Sequence, residues 1–182
     1  MKSNEKSSCL NFALSLIFAN FLSVLITVMV TALFGSIFGG KIAWIATVLS
    51  IIAYCFFFYH EGWLRGGADY NLVQYGRAEK TPWKAVLAGL IADIPTVIFG
   101  IMAILVATTG FRTFSFIEQD MSVYLYRLWN MAYAPMFDTL ASVPALHFLP
   151  IVFVPILAEL GYAMGYRQLR VSDYLVYSRK EK

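Results

Sequence analysis

The sequence is poor in charge, in cysteine and in histidine, and each shortage narrows what the chain can be. Charged residues occupy 14% of its 182 positions, against roughly a quarter in soluble domains. With 59% hydrophobic residues, a soluble fold of this length would expose apolar surface that only partners or lipid could cover. Composition therefore places the chain in the membrane class and predicts one domain. The two cysteines, Cys9 and Cys55, are too few for a disulfide framework. Both fall in or beside apolar runs, where a thiol reads as a small buried side chain. The net charge of +3 is small and its basic residues are dispersed, so no nucleic-acid partner is expected.

Catalytic and metal motifs are missing as well. His60-Glu61 begins like a zincin HExxH, but Leu64 stands where the second histidine belongs. The only other histidine, His147, is remote in the sequence. No GxSxG and no P-loop occur. The sequence thus predicts no enzyme, no metal site and no cofactor.

What is present is four apolar stretches: Leu10 to Phe34, Ile42 to Tyr59, Val86 to Thr109, and Pro144 to Gly165. About 20 apolar residues in a helix cross the hydrocarbon core. Lys2 and Lys6 precede the first run in the manner of a signal peptide, but the run far exceeds the roughly 7–15 residues of a cleavable one. It is expected to be retained. The glycine-rich turnaround from Gly35 to Lys41 then makes the first two spans a hairpin.

Lysine and arginine set the orientation. With the N-terminus inside, the cytoplasmic segments hold Lys2, Lys6, Arg65, Arg77, Lys80, Lys84, Arg167, Arg170, Arg179, Lys180 and Lys182. Only Lys41, Arg112 and Arg127 remain outside. The expectation is a multi-pass plasma-membrane protein with cytoplasmic N- and C-termini. Between the last two spans, Ile117, Met121, Tyr124, Leu125, Leu128 and Ala132 recur at helical spacing. The fold class read here is all-α: an integral membrane four-helix bundle with an extracytoplasmic amphipathic interfacial helix at about 116–132.

Two carboxylates, Asp93 and Glu159, fall inside the third and fourth spans, where charge is costly and usually functional or paired. Counting from Lys84 and from Arg167 puts each about 12–14 Å from its cytoplasmic anchor, so one cavity could hold both. Pro95 and Pro155 lie beside them and free backbone carbonyls. Tyr162, on the face of Glu159, and Asn20, midway along the first span, complete the candidate set. Two readings stay open: neutral or arginine-paired carboxyls that bridge helices, or a proton or cation site.

The cytoplasmic connection at 60–82 contains Gly62, Gly66, Gly67, Asp69, Asn71 and Gly76. It predicts an ordered turn with internal Arg–Asp pairing. Alternatively, Arg65, Asp69, Asn71 and Arg77 contact a protein partner or lipid headgroups. Small residues mark packing seams at Ala88, Ala92, Thr96 and Gly100, and at Gly161 and Gly165. These seams serve either the bundle or a homo-oligomer.

The stretch Gly62-Trp63, Asp69-Tyr70-Asn71, Gly76-Arg77, then Ile94-Pro95 and the Gly161 to Tyr166 ending with its basic tail, resembles small uncharacterised multi-span membrane proteins of low-GC Gram-positive bacteria. The resemblance implies a bacterial plasma-membrane location and carries no activity. Two functions follow as expectations. The first is a non-enzymatic accessory or scaffold subunit of a membrane complex. The second is a proton- or cation-coupled transporter or channel using Asp93 and Glu159.

Overall fold

Most of the large aliphatic side chains among the described residues lie on the outside, while the inside holds alanine, serine, threonine and glycine around a few large residues such as Phe12, Leu16 and Phe58. The computed structural model describes residues 2–38, 43–79, 81, 83–109, 121–133 and 149–169. They form α1 (Lys2–Phe38), α2 (Ala43–Gln74), α3 (Lys84–Ala92), α4 (Ile94–Thr109), α5 (Met121–Trp129), a 3-10 turn (Met131–Tyr133) and α6 (Leu149–Tyr166). No strand occurs among the described residues. Phe18, Phe21 and Met29 on α1, Ile52 and Phe56 on α2, Ile98 and Ile101 on α4, and Val152 and Leu160 on α6 are all exposed. Ala13, Ala85, Ala88 and Ala158 are fully buried, and Ser23, Thr27, Thr47 and Ser50 are buried beside them. An exterior this apolar suits lipid and not water, and small buried residues let helices approach where no hydrophobic force between them operates.

Two helical stretches, Ser8–Phe34 and Trp44–Gln74, are long and apolar enough to cross a membrane. The pair α3 and α4 makes a third if taken as one bent span. The apolar helix Pro150–Tyr166 is shorter.

Contacts fix the directions. Ser8 meets Arg65, whereas Asn20 meets Trp129, close to where Tyr133 packs on Tyr54; α1 and α2 are therefore antiparallel. A Cβ on Gly62 would lie 2.5 Å from the Ala158 carbonyl oxygen, and one on Gly66 would overlap that of Tyr162. Reciprocally, Gly161 sits on the backbone of Tyr59 and Trp63, and Gly165 on that of Trp63. Numbers rise together along this seam, so α2 and α6 are parallel and locked by two small-residue pairs, one on each helix. Trp63 Nε1 donates to the Leu169 carbonyl at 3.1 Å and fastens the end of the seam. α3 runs against α6, with a Gly89 Cβ position only 2.6 Å from Pro155 Cα.

The second span does not stop at Tyr59. α2 continues to Gln74, so most of the expected cytoplasmic turn is helix. Gly62 and Gly66 are there because the α6 backbone occupies the space of their side chains, not to make a turn; tertiary packing overrides their low helix propensity. The third span is not one helix either. It breaks at Asp93, where α3 and α4 meet at 42°, because Pro95 lacks the N–H that would continue the ladder.

The helix expected at 116–132 is described from Met121 onward. Tyr126, Asn130, Ala132 and Tyr133 are buried. This segment wedges Tyr126 and Tyr133 between α4, where Gly100 faces the Tyr126 ring, and the α1–α2 pair, while Met121, Tyr124, Leu125 and Leu128 stay exposed. The basic tail from Arg170, the far part of the first turnaround and positions 144–148 lie outside the described residues.

Candidate functional site: an ionic cluster and an isolated carboxylate

Polar chemistry inside the protein is concentrated in two places on either side of an apolar layer. The first is an ionic cluster drawn from four helices. Lys84, at the start of α3, forms an ion pair with Asp69 of α2, and their side chains are 10% and 12% exposed. Tyr162 of α6 donates to the same Asp69 oxygen at 2.9 Å. Arg65, one turn before Asp69, donates to both the carbonyl and the hydroxyl of Ser8, each at 2.9 Å. Lys84 Nζ reaches the Ser8 hydroxyl as well, at 2.9 Å. Two cations and one carboxylate thus close this end of the packed helices. Charges this far from water hold only when paired and hydrogen-bonded.

The second place is Asp93 at the break between α3 and α4. Its side chain is 2% exposed, and its Oδ2 has no hydrogen-bond partner among the described residues. The phenols of Tyr54 and Tyr133 are within electrostatic reach of it, and their rings meet edge-on with centroids 5.1 Å apart. Thr96 is buried on the next turn. Asn20 donates to the Trp129 carbonyl at 3.3 Å, so it anchors the wedge and does not address the carboxylate.

The geometry separates the two carboxylates that the sequence placed together. Gly89 lies on Pro155; Asp93 is four residues further along α3, and Glu159 is four residues further along α6, in the opposite direction. At ~1.5 Å per residue they are about 12 Å apart along the axis. Counting from Lys84 and Arg167 failed because the two do not mark one plane: Lys84 is drawn into the interior by Asp69 and Ser8, while Arg167 is exposed beyond the end of α6. Glu159 lies within reach of Tyr162 and keeps one buried oxygen without a partner. Tyr162 gives its hydrogen bond to Asp69 and not to Glu159.

Of the loop residues singled out, Arg65 and Asp69 belong to the ionic cluster, though Asp69 pairs with Lys84 and not with an arginine. Asn71 and Arg77 are exposed. Ser8 and Lys84 went unremarked as site residues. Their signal was available: Arg65 and Asp69 stand one turn apart on a single helix face, which requires buried partners once that face packs. Neither a family model nor a curated protein nor a solved structure matches this chain.

Proposed function

We propose that this protein is a small proton- or cation-coupled transporter or channel of a bacterial plasma membrane. In this reading the α3–α4 pair is one broken span, the chain crosses four times with both termini cytoplasmic, and Asp93 binds the transported ion. The observation that carries the reading is the Asp93 carboxylate oxygen, buried and unpartnered where the helix is interrupted. Such a group is expensive to maintain, and in membranes it marks an ion or proton pathway. Broken helices place ion sites at their interruptions for the same reason.

The accessory-subunit reading drew on a docking loop at 60–82. With 60–74 helical and Arg65 and Asp69 turned into the ionic cluster, a partner or headgroups would meet the exposed His60, Asn71, Gln74, Tyr75, Arg77 and Glu79 instead. The transport reading is preferred on Asp93 alone.

The test is ion flux into vesicles holding the purified protein. Wild-type protein is expected to dissipate an imposed pH or sodium gradient, Asp93→Asn to fall to the level of protein-free vesicles, and Glu159→Gln to retain at least half of the rate. Asparagine keeps the shape but cannot exchange charge, so an Asp93→Asn protein with wild-type flux contradicts the proposal. Wild-type flux no faster than that of empty vesicles contradicts it equally. Orientation is tested apart from transport. A reporter fused after Lys182 should be active only in its cytoplasmic form, and external activity would overturn the four-crossing arrangement.

A further inference from the structure

Two phenols stand at the level of Asp93. A Cβ on Gly62 would meet Ala158, and one on Gly89 would meet Pro155. From the first contact, counting back eight residues along the parallel pair α2 and α6 puts Tyr54 beside Pro150. From the second, counting four residues along the antiparallel pair α3 and α6 puts Asp93 beside Ile151. Tyr54 and Asp93 therefore differ in depth by about one residue, ~1.5 Å. Tyr133 joins them from the 3-10 turn, its ring edge-on to that of Tyr54 with centroids 5.1 Å apart. Both tyrosines are buried, and both lie within electrostatic reach of the carboxylate.

A carboxylate that gives up its ion inside the protein needs donors. The charged form is costly to leave bare, and Asp93 Oδ2 accepts no hydrogen bond among the described residues. Lys84 and Arg65 are engaged elsewhere, at Asp69 and Ser8. Each phenol has one O–H to give, and such a bond is stronger to a charged acceptor than to a neutral one. The wedge sets where Tyr133 stands. Its N–H donates to the Asn130 carbonyl at 2.9 Å, and the Asn130 side chain donates to the Tyr126 carbonyl at 3.0 Å. Asn20 of α1 holds the same segment through the Trp129 carbonyl.

We infer that Tyr54 and Tyr133 are positioning residues of the ion site, whose hydroxyls turn to Asp93 when it is charged and empty and let go when the ion binds. Asn20 acts through Tyr133, by anchoring the turn that carries it. The inference rests on the assignment of Asp93 as the ion site. It holds for a proton and for a metal cation alike, because either one removes or offsets the charge that the hydroxyls serve. The direction of the effect follows. Without these donors the empty site is less stable, so the ion binds more tightly and leaves more slowly.

The experiment uses phosphatidylethanolamine–phosphatidylglycerol vesicles with the membrane potential clamped. Initial flux is measured against the concentration of whichever ion the wild type moves, proton or sodium. Tyr54→Phe and Tyr133→Phe are each expected to lower the half-saturating concentration about tenfold and to reduce the maximal rate. Phenylalanine keeps the ring packing, so thermal unfolding in detergent should change little. Asn20→Ala should shift half-saturation in the same direction and add nothing to Tyr133→Phe in the double variant. Tyrosines that only fill space would alter the maximal rate and leave half-saturation in place. That result, with Asp93→Asn inactive, overturns the positioning role and leaves the Asp93 site standing. Shifts of Asn20→Ala and Tyr133→Phe that add in the double variant overturn the part given to Asn20. Wild-type flux in Asp93→Asn removes the site and its positioning residues together.

Discussion

Gly161→Ala is expected to lower the stability of the folded protein by about 2 kcal/mol, even though alanine is the better helix former. Propensity alone favours the substitution by ~0.5–1 kcal/mol. Packing opposes it. An added Cβ at Gly161 overlaps the carbonyl oxygen of Tyr59 and stands 3.0 Å from the amide nitrogen of Trp63. Both obstacles are backbone, so no side-chain rotation relieves them, and forced overpacking of this kind costs ~1–3 kcal/mol or more. Gly67 supplies the control. The nearest atom to its Cβ position is the Gln168 amide nitrogen at 3.6 Å, so Gly67→Ala should be neutral or stabilising. Denaturant or thermal unfolding in detergent measures both. The same sign for the two variants would mean that the α2–α6 seam is not packed as described.

Asp69→Ala should be worse, at about 3–5 kcal/mol, because it strands a buried cation. Lys84 would keep only the Ser8 hydroxyl as a side-chain partner, and the Tyr162 hydroxyl would lose its acceptor. The diagnostic is rescue. Asp69→Leu/Lys84→Met removes both charges together and should recover most of the loss, since a buried ion pair and a well-packed apolar pair are often close in stability. Tyr162→Phe should cost less, ~1.5–3 kcal/mol, one neutral-to-charged bond in a cluster that otherwise stays intact. If the double variant is no more stable than Asp69→Ala, the coupling between Asp69 and Lys84 is absent.

The helical class, the membrane character and the buried position of Asp93 were legible in the sequence because each depends on local composition. Long apolar runs need no partner to be recognised. A carboxylate between Ala92 and Ile94 is conspicuous wherever the helices pack. The seam is half legible: Gly161 and Gly165 stand out in an apolar helix, but Gly62 and Gly66 read as turn residues. They sit among Trp63, Arg65 and Asp69, where glycine ordinarily signals a loop. The helix that explains them begins more than eighty residues later in the chain. Matching one small-residue pair against the other would have exposed the pairing.

The ionic cluster was less legible for a similar reason. Ser8, Arg65, Asp69, Lys84 and Tyr162 are scattered across the chain, and only the packing of α1, α2, α3 and α6 brings them together. Sequence alone makes Lys84 a surface anchor, and its burial beside Asp69 and Ser8 removes the shared depth of Asp93 and Glu159. The packed side of α5 is not legible in its amphipathic spacing, which is the same whether the apolar face meets lipid or protein. Tyr126, Asn130 and Tyr133 are buried against α1, α2 and α4, whereas Met121, Tyr124, Leu125 and Leu128 stay exposed.

The central claim is that Asp93 exchanges its proton and can carry charge, as opposed to serving as a permanently neutral strut. Infrared difference spectra of the reconstituted protein, titrated with pH and compared with Asp93→Asn, read this directly. The account expects a protonated-carboxyl band at low pH that fades as the pH rises, is absent from Asp93→Asn and persists in Glu159→Gln. A band assignable to Asp93 that stays constant across the whole pH range would contradict it.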